Sequence, residues 1–353
     1  MQKNTYKVLG VMSGTSLDGI DLALCSFHIS EKKKWRFEIE TAETVAYSLN
    51  WQRILKDAVH FSEGKLQHLN EEYTLYLAEI VSKFIQKNAI ENIDAVCSHG
   101  HTILHQPEKG VTLQIGNLPV LAKKLQQRVV CNFRVQDVAL GGQGAPLVPI
   151  GDRLLFSEYN YCLNLGGFAN VSFENEGKRI AYDICPVNIV LNHYAEKLGK
   201  SYDAEGIFAK SGVVNEDLLQ QLNALPFYLK RPPKSLGLEW VQQFVFPLLE
   251  ASKEPPINIL RTFTEHIAFQ LSEQFRENAS VLITGGGAYN SFLLERLKAQ
   301  KSLKLVIPNA QIIEYKEALV FGLLGILKVR GENNCLASVT GASKDHSSGI
   351  VYF

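Results

Sequence analysis

The residues of this chain best suited to chemistry sit in short turns between apolar runs. Asp183 follows the strand-like run Arg179-Ile-Ala-Tyr and precedes Ile184-Cys-Pro-Val-Asn188 and a helical stretch. A carboxylate at the C-terminal end of a strand can take a proton from a bound nucleophile; the same residue type also serves as a turn or helix cap. The turn Ser13-Gly14-Thr15-Ser16-Leu17-Asp18-Gly19 combines glycines, hydroxyls and one carboxylate. Backbone N–H groups and hydroxyls cradle phosphate, and a carboxylate among them suits a magnesium ion bridging phosphates. A plain hairpin turn draws on the same residue types. No Gly-Lys-Ser/Thr follows, so this is not a Walker A loop.

A second glycine cluster, Gly285-Gly286-Gly287-Ala-Tyr-Asn290, lies between a strand and a helix. It departs from the dinucleotide fingerprint, because Asn290 holds the third glycine position and Val306-Ile-Pro-Asn309 stands where an acidic residue is required. A Rossmann NAD site is therefore not expected. The flat glycine surface suits a nucleotide, or simply a tight strand-to-helix connection. His99-Gly-His101-Thr-Ile-Leu-His105 is the histidine cluster. On a strand, His99 and His101 are expected to project to one side. No third ligand motif accompanies them, so hydrogen bonding to a polar ligand or to each other is expected over metal binding. Glu317, beside the apolar run 318–327, reads by itself as a helix residue facing water.

These residues need a frame. Period-two apolar patterning and turn residues predict strands over 7–13, 20–27 and 35–47, then helices over 51–61 and 66–86. Strands over 93–98 and 111–114, a helix over 118–127 and a strand over 129–133 complete the first half. The second half restarts in the same way, with strands over 161–165, 170–173 and 179–184. Several helices, strands over 280–284 and 304–307 and a long helix over 314–329 follow. Each half thus opens with a three-strand meander carrying a glycine-rich turn. This duplication predicts two α/β domains facing each other across a cleft that binds the ligand. The stretch 141–149, rich in Gly and Pro, is expected to be a loop or a hinge.

Composition narrows the partners. The chain has 353 residues with 36 basic and 36 acidic side chains, so it lacks the basic footprint of a nucleic-acid binder. Hydrophobic content of 46% excludes a disordered chain. No apolar run reaches the length of a membrane span, and the polar start shows no signal peptide. The six cysteines form no CxxC pair and most lie in apolar runs, which reads as reduced, buried thiols of a cytoplasmic protein.

Taken in order, several segments resemble the anhydro-N-acetylmuramic acid kinases. They are Gly10-Val-Met-Ser-Gly-Thr-Ser-Leu-Asp-Gly-Ile-Asp21, Ser98-His-Gly-His-Thr-Ile-Leu-His105, Asn132-Phe-Arg-Val-Gln-Asp-Val-Ala-Leu-Gly-Gly-Gln-Gly-Ala-Pro-Leu147, Asn164-Leu-Gly-Gly-Phe-Ala-Asn170, Tyr202-Asp-Ala-Glu-Gly206, Gly285-Gly-Gly-Ala-Tyr-Asn290, Glu317-Ala and Val339-Thr-Gly-Ala342. The resemblance implies an actin/hexokinase/Hsp70-like α/β fold of two ribonuclease-H-like domains with an inter-domain cleft. Their expected limits are 1–135 plus about 330–353, and 136–329. It implies ATP and Mg2+, a small anhydrosugar substrate, a homodimer, and no nucleic-acid or membrane partner. The implied reaction opens the 1,6-anhydro ring of anhydro-N-acetylmuramic acid with water and phosphorylates O6. The product, N-acetylmuramate 6-phosphate, returns cell-wall sugar to amino-sugar metabolism.

The resemblance also implies roles. Asp183 is the catalytic base, with Glu317 a second catalytic residue. Gly14, Thr15, Ser16, Asp18, Gly19 and Asp21 hold phosphates, with Asp18 on the metal. Gly166, Gly167 and Asn170 form the opposing turn; Gly285, Gly286, Gly287 and Asn290 contact nucleotide. His99, Arg134 and Asp137 face the sugar. Where the family pattern reads Asp-Thr-Gly-Pro-Gly-Asn, this chain has Asp183-Ile-Cys-Pro-Val-Asn188, and His101 stands in place of a glutamine. A Cβ in place of a glycine restricts the backbone and can block close approach of a ligand. Two alternatives stay open at this point: a kinase for another anhydrosugar such as levoglucosan, and a non-catalytic sugar or nucleotide sensor on the same fold.

Overall fold

The computed structural model describes residues 3–14 and 16–353. It forms two compact units, Met1–Leu155 with Tyr315–Phe353, and Phe156–Glu314. In chain order the strands are β1 Thr5–Ser13, β2 Gly19–Ile29, β3 Trp35–Ala46, β4 Ala95–Gln106, β5 Val111–Ile115, β6 Val129–Cys131, β7 Tyr161–Leu165, β8 Phe168–Asn175, β9 Lys178–Pro186, β10 Ser280–Thr284, β11 Lys304–Val306 and β12 Ile350–Tyr352.

In the first unit β1 is central and apolar on both faces, as a strand covered on both sides must be. It pairs antiparallel with β2, which pairs antiparallel with β3; on its other side it pairs parallel with β4, and β4 parallel with β6. β5 and β12 add antiparallel to β4 and β6. One face takes the helix Glu63–Lys87. Its Leu66, Leu69, Tyr73, Leu77, Val81 and Phe84 recur at three- and four-residue steps and join Leu9, Ile20 and Leu22 in one core.

The opposite face takes the helix Ala310–Arg330, buried without interruption over 318–327. Small residues let it lie flush on the sheet. A Cβ on Gly10 of β1 would stand 1.9 Å from the Ala318 carbonyl oxygen, and one on Gly325 would stand 2.1 Å from Cys97 Sγ. Its apolar character therefore belongs to a core. Among the described residues no helix is long and apolar enough to cross a membrane.

The second unit repeats the plan. β7, β8 and β9 form an antiparallel meander; β10 pairs parallel with β7 and β11 parallel with β10. Leu163, Val171 and Ile283 share a core with Ile259, Phe263, Ile267 and Leu271 of the helix Pro256–Ser272. The orders β3-β2-β1-β4-β6 and β9-β8-β7-β10-β11 are the same arrangement with the same directions. A three-strand meander with parallel strands added beside its first strand is the ribonuclease-H-like α/β plan, and the chain contains it twice.

Residues 136–155 and the helix from Tyr315 onward pack with the first unit, whereas the limits expected from the resemblance place 136–329 in the second. The contacts responsible join positions far apart in the chain. Gln143 N–H donates to the Thr340 carbonyl (2.8 Å), and buried Lys316 pairs with Asp152 (2.7 Å). The Gly- and Pro-rich stretch 141–149 is a loop inside that unit up to its last residue, where the helix Pro149–Leu155 begins.

The flush seat of the helix Ala310–Arg330 has a measurable consequence. Gly10→Ala forces backbone apart and costs about 1–3 kcal/mol or more. Gly64→Ala, in a helix with open space around it, is neutral or stabilising by up to about 1 kcal/mol. Thermal unfolding of the two variants should separate them in these opposite directions.

Candidate functional site

In the second unit the parallel strands β7 and β10 end side by side, with Thr284 opposite Asn164, so the turns at Gly166-Gly167 and Gly285-Gly286-Gly287 emerge together. Asp183 lies near the end of β9. Across β8, Asn170 pairs with Asp183 and Ala169 with Cys185, which leaves Ile184 as an extra residue, a β-bulge. The bulge breaks the alternation of faces. Cys185 follows Ala169 into the core, both fully buried, while Asp183 shares the open face with exposed Asn170.

The carboxylate of Asp183 is held on one side only. Leu236 N–H donates to Oδ2 (2.8 Å), and the Asp183 N–H donates to the Lys234 carbonyl (3.1 Å). Oδ1 has no hydrogen-bond partner among the described residues. Burial pushes the Asp183 pKa above the ordinary carboxylate value, against the Leu236 hydrogen bond, which lowers it. One anchored oxygen, one open oxygen and raised basicity are what a general base requires.

The side chains that replace the family's small residues beside Asp183 point away from this face. Ile184, Cys185 and Val187 are all in the hydrophobic core, and none has a positive φ. The backbone restriction expected from a Cβ at these positions therefore does not fall on the open side.

In the first unit Ser13 ends β1 against His101 of β4. Ser13 Oγ bonds Tyr47 Oη (2.6 Å) and His101 Nδ1 (2.8 Å), and Tyr47 continues the chain to the Tyr73 hydroxyl. This buried network anchors the base of the turn that follows. Thr15 lies outside the described residues. In that turn Leu17 adopts φ +62° and Ser16 and Asp18 are exposed; among the described residues the Asp18 carboxylate has no partner. A left-handed non-glycine residue costs on the order of 1 kcal/mol, a strain that gathers at ligand loops. Asp21, on β2, accepts from Thr44 Oγ1 (2.6 Å).

His99 and His101 do not project to one side. Gly100 between them takes φ +76°, and the β1–β4 register shifts there. His101 turns to the Tyr47 and Tyr73 rings, whereas His99 lies 4.6 Å from the Phe321 ring on the opposite helix. His99 Nδ1 bonds the Gly100 carbonyl (2.9 Å), and its Nε2 accepts from Arg134 Nε (2.9 Å). That pairing requires a neutral ring with the proton on Nδ1. Burial and the neighbouring Arg134 charge both depress the His99 pKa well below its usual value. Glu317, one turn before Phe321, reaches water yet is surrounded by protein. Desolvation raises its pKa and nearby Asp21 adds to the rise, while Arg134 opposes it.

Asp137 is placed differently from the expectation of a sugar contact. It is fully buried, with Oδ2 accepting from Gly144 N–H (2.7 Å) and Oδ1 from Thr340 Oγ1 (2.7 Å). It ties the 142–144 loop to the C-terminal segment. The Leu236 N–H carries no pattern that sequence alone could isolate, and Thr340, though it lies in the segment Val339-Thr-Gly-Ala342, gives no sign there of its partner Asp137, distant in the chain.

The glycines sort by what a side chain would meet. At Gly14, Gly166, Gly167 and Gly286 a Cβ would meet its nearest neighbour at 3.4–3.9 Å, an ordinary van der Waals contact, so these backbones are not pressed against the protein. Unobstructed backbone N–H groups of this kind suit an anion such as a polyphosphate. At Gly19, Gly285 and Gly287 a Cβ would come within 2.5–2.6 Å of Val45, Asn164 or Leu165, so these allow close packing behind the turns. Asn290 caps the helix Ser291–Gln300, accepting from Leu293 N–H (3.0 Å), and is buried.

A family model described as anhydro-N-acetylmuramic acid kinase matches residues 6–353. Among curated proteins, the anhydro-N-acetylmuramic acid kinase of Mannheimia succiniciproducens is 33% identical over the full length of both chains. That of Bacillus cereus is 33% identical, covering 98% of this chain and 99% of its own. Among solved structures, (R)-2-hydroxyglutaryl-CoA dehydratase component A of Acidaminococcus fermentans superposes with a TM-score of 0.47 at 14% identity, covering 92% of this chain and 99% of its own. The fold assignment rests on strand order and not on that likeness.

The His99 tautomer is testable directly. Imidazole 15N NMR should show a neutral Nδ1–H ring that does not titrate between about pH 5 and 8. A protonation step inside that window would remove the acceptor that holds Arg134.

Proposed function

Because the chain belongs to the anhydro-N-acetylmuramic acid kinase family, we propose that it hydrolytically opens 1,6-anhydro-N-acetylmuramic acid and phosphorylates O6. The product is N-acetylmuramate 6-phosphate. The observation that carries this reading is Asp183: a carboxylate anchored through Oδ2, open at Oδ1 and raised in pKa by burial.

In this reading water binds against Asp183 Oδ1, which takes its proton as the oxygen bonds to C1. The C1–O6 bond breaks and its electron pair goes to O6, which then accepts the γ-phosphoryl group of the substrate ATP. Asp183 afterwards returns its proton to solvent. Phosphoryl transfer needs position and charge neutralisation more than covalent help. Asn170, beside Asp183 in the register, is assigned to orient the reacting groups.

The backbones at Gly14, Gly166, Gly167 and Gly286, which no close contact obstructs, are assigned to the phosphates and nucleotide. Thr15 and Ser16 contribute hydroxyls in the same turn. Gly19, Gly285, Gly287 and Asn290 support these turns from behind. Asp18 and Asp21 are the carboxylates whose chemistry suits Mg2+, which when bound neutralises phosphate charge. Arg134, oriented by His99, and Glu317 are assigned to the sugar; Asp137 acts by holding its loop. Peptidoglycan-sugar recycling, a cytoplasmic location and a homodimer belong to the same reading and are supported by family membership.

Purified protein incubated with ATP, Mg2+ and a panel of anhydrosugars, read by mass spectrometry, tests it. Expected is a product of anhydro-N-acetylmuramic acid heavier by one water and one phosphoryl group. Turnover of levoglucosan alone would reassign the substrate, and nucleotide binding with no turnover would make the chain a sensor.

Asp183→Asn should retain ATP binding and lose roughly 10²–10⁴-fold in kcat. The base is active deprotonated, so wild-type kcat/KM should fall as pH drops through the raised Asp183 pKa, on a limb above the ordinary value of about 3.9. That limb should be missing from whatever activity the variant retains.

A further inference from the structure

A second cluster of reactive side chains lies outside the groups assigned to the reaction, where the C-terminal segment meets Asp137. Cys335 and His346 face each other across a short antiparallel bridge. Cys335 N–H donates to the His346 carbonyl (3.0 Å), and His346 N–H returns the bond to Cys335 (3.2 Å). Directly paired residues in such a bridge present their side chains on the same side. Asp137 reaches the same point, held there by Gly144 N–H and Thr340 Oγ1. One donor atom from each, carboxylate O, thiol Sγ and imidazole N, lie within 4.8 Å of one another. Exposure is 0% for Asp137, 1% for Cys335 and 4% for His346.

The imidazole orientation points to what is missing. His346 Nδ1 stands 3.1 Å from the Lys344 carbonyl oxygen, an acceptor only, so Nδ1 carries a proton and donates it. In the neutral ring Nε2 is then a bare lone pair. Among the described residues that buried atom has no hydrogen-bond partner, and it faces Asp137 Oδ1 at 3.5 Å. A lone pair against a carboxylate, both removed from water, is unfavourable unless a cation lies between them. A second proton would supply the charge but would make no use of the thiol. A metal ion uses all three donors. A backbone carbonyl fixing the far nitrogen of a ligating histidine is also the usual outer-shell arrangement of metal sites.

We infer that Asp137, Cys335 and His346 form a buried site for a divalent transition-metal ion, zinc foremost. Thiolate with imidazole selects zinc-like ions over magnesium, and three protein ligands leave a fourth position for water. Metal–donor bonds of about 2.0–2.3 Å require the donors to draw together by small side-chain rotations. On binding, the Cys335 thiol loses its proton to solvent and a Cys335 Sγ–metal bond forms, with no change of oxidation state. The ion would staple the 335–346 segment to the helix Val135–Ala139, beside Arg134. The inference does not depend on the sugar or on ATP.

The test uses the full chain without a histidine tag, stripped with a chelator and titrated with Zn2+ or Co2+. Expected is one ion per chain by elemental analysis after gel filtration. The cobalt form should show thiolate-to-metal charge-transfer absorption that disappears in Cys335→Ser. Zinc should raise the wild-type Tm but not that of His346→Gln, whose metal affinity should fall roughly 10- to 100-fold. Should the variants fail to fold, the wild-type cobalt spectrum decides alone: no charge-transfer band at saturating Co2+ overturns the site. A band that persists in a folded Cys335→Ser chain overturns it equally, as does a Tm that responds to pH and not to zinc.

Discussion

One extra residue in a β-strand decides which way the Asp183 carboxylate faces. Without the bulge at Ile184, Asp183 and Cys185 would share a face, and either a carboxylate would enter the core or a thiol would leave it. Burying an unpaired carboxylate is costly, so the strand could not simply slip. The bulge lets Cys185 complete the core of the second unit while Asp183 stays on the open side with Asn170. The Leu236 N–H then fixes one oxygen, and partial burial raises the basicity of the other.

The same division between packing and openness runs through the glycine-rich turns. Gly19, Gly285 and Gly287 serve the protein, letting strands and turns approach without a side chain in between. At Gly14, Gly166, Gly167 and Gly286 a Cβ would meet only ordinary van der Waals contacts, so the backbone there is not consumed by packing. The Gly14–Gly19 and Gly285–Gly287 turns contain both kinds, so each of these is pressed against its sheet and still leaves backbone available to an anion, whereas Gly166 and Gly167 are both of the second kind. In the first unit the network from Ser13 through Tyr47, Tyr73 and His101 gives the Gly14 turn a rigid base. Polar groups buried in this way keep their positions only when each is satisfied, and here the hydroxyls and the imidazole satisfy one another.

Much of this was readable in the chain because its signals are local. The meander strands, with apolar runs broken by Gly-rich turns, lie where their patterning puts them, and the repeat of that grammar corresponds to two sheets of one strand order. Asp183 stands out as a carboxylate toward the end of an apolar strand, and the glycines stand out as residue types in turns. What sequence could not reveal depends on pairing between distant positions. The left-handed Gly100 sends His99 and His101 to opposite faces, against the simple alternation of a strand. Asp137 looks available in sequence but is consumed by Gly144 and Thr340. The helix from Tyr315 packs with the first unit because Gly10, Gly322 and Gly325 make room for it, a fit that no periodicity reports. Cys335 and His346 carry no metal-ligand spacing, since a bridge between chain segments brings them together.

The central claim is that Asp183 deprotonates water and not a sugar hydroxyl. Turnover in water enriched in oxygen-18, with the product fragmented by mass spectrometry, addresses this most directly. The account predicts one solvent-derived oxygen at C1 in the first-formed product, read before the anomeric hydroxyl exchanges, and none at O6. Product carrying no solvent oxygen at C1 at that time would contradict it, because ring opening would then proceed without the water that the proposal assigns to Asp183.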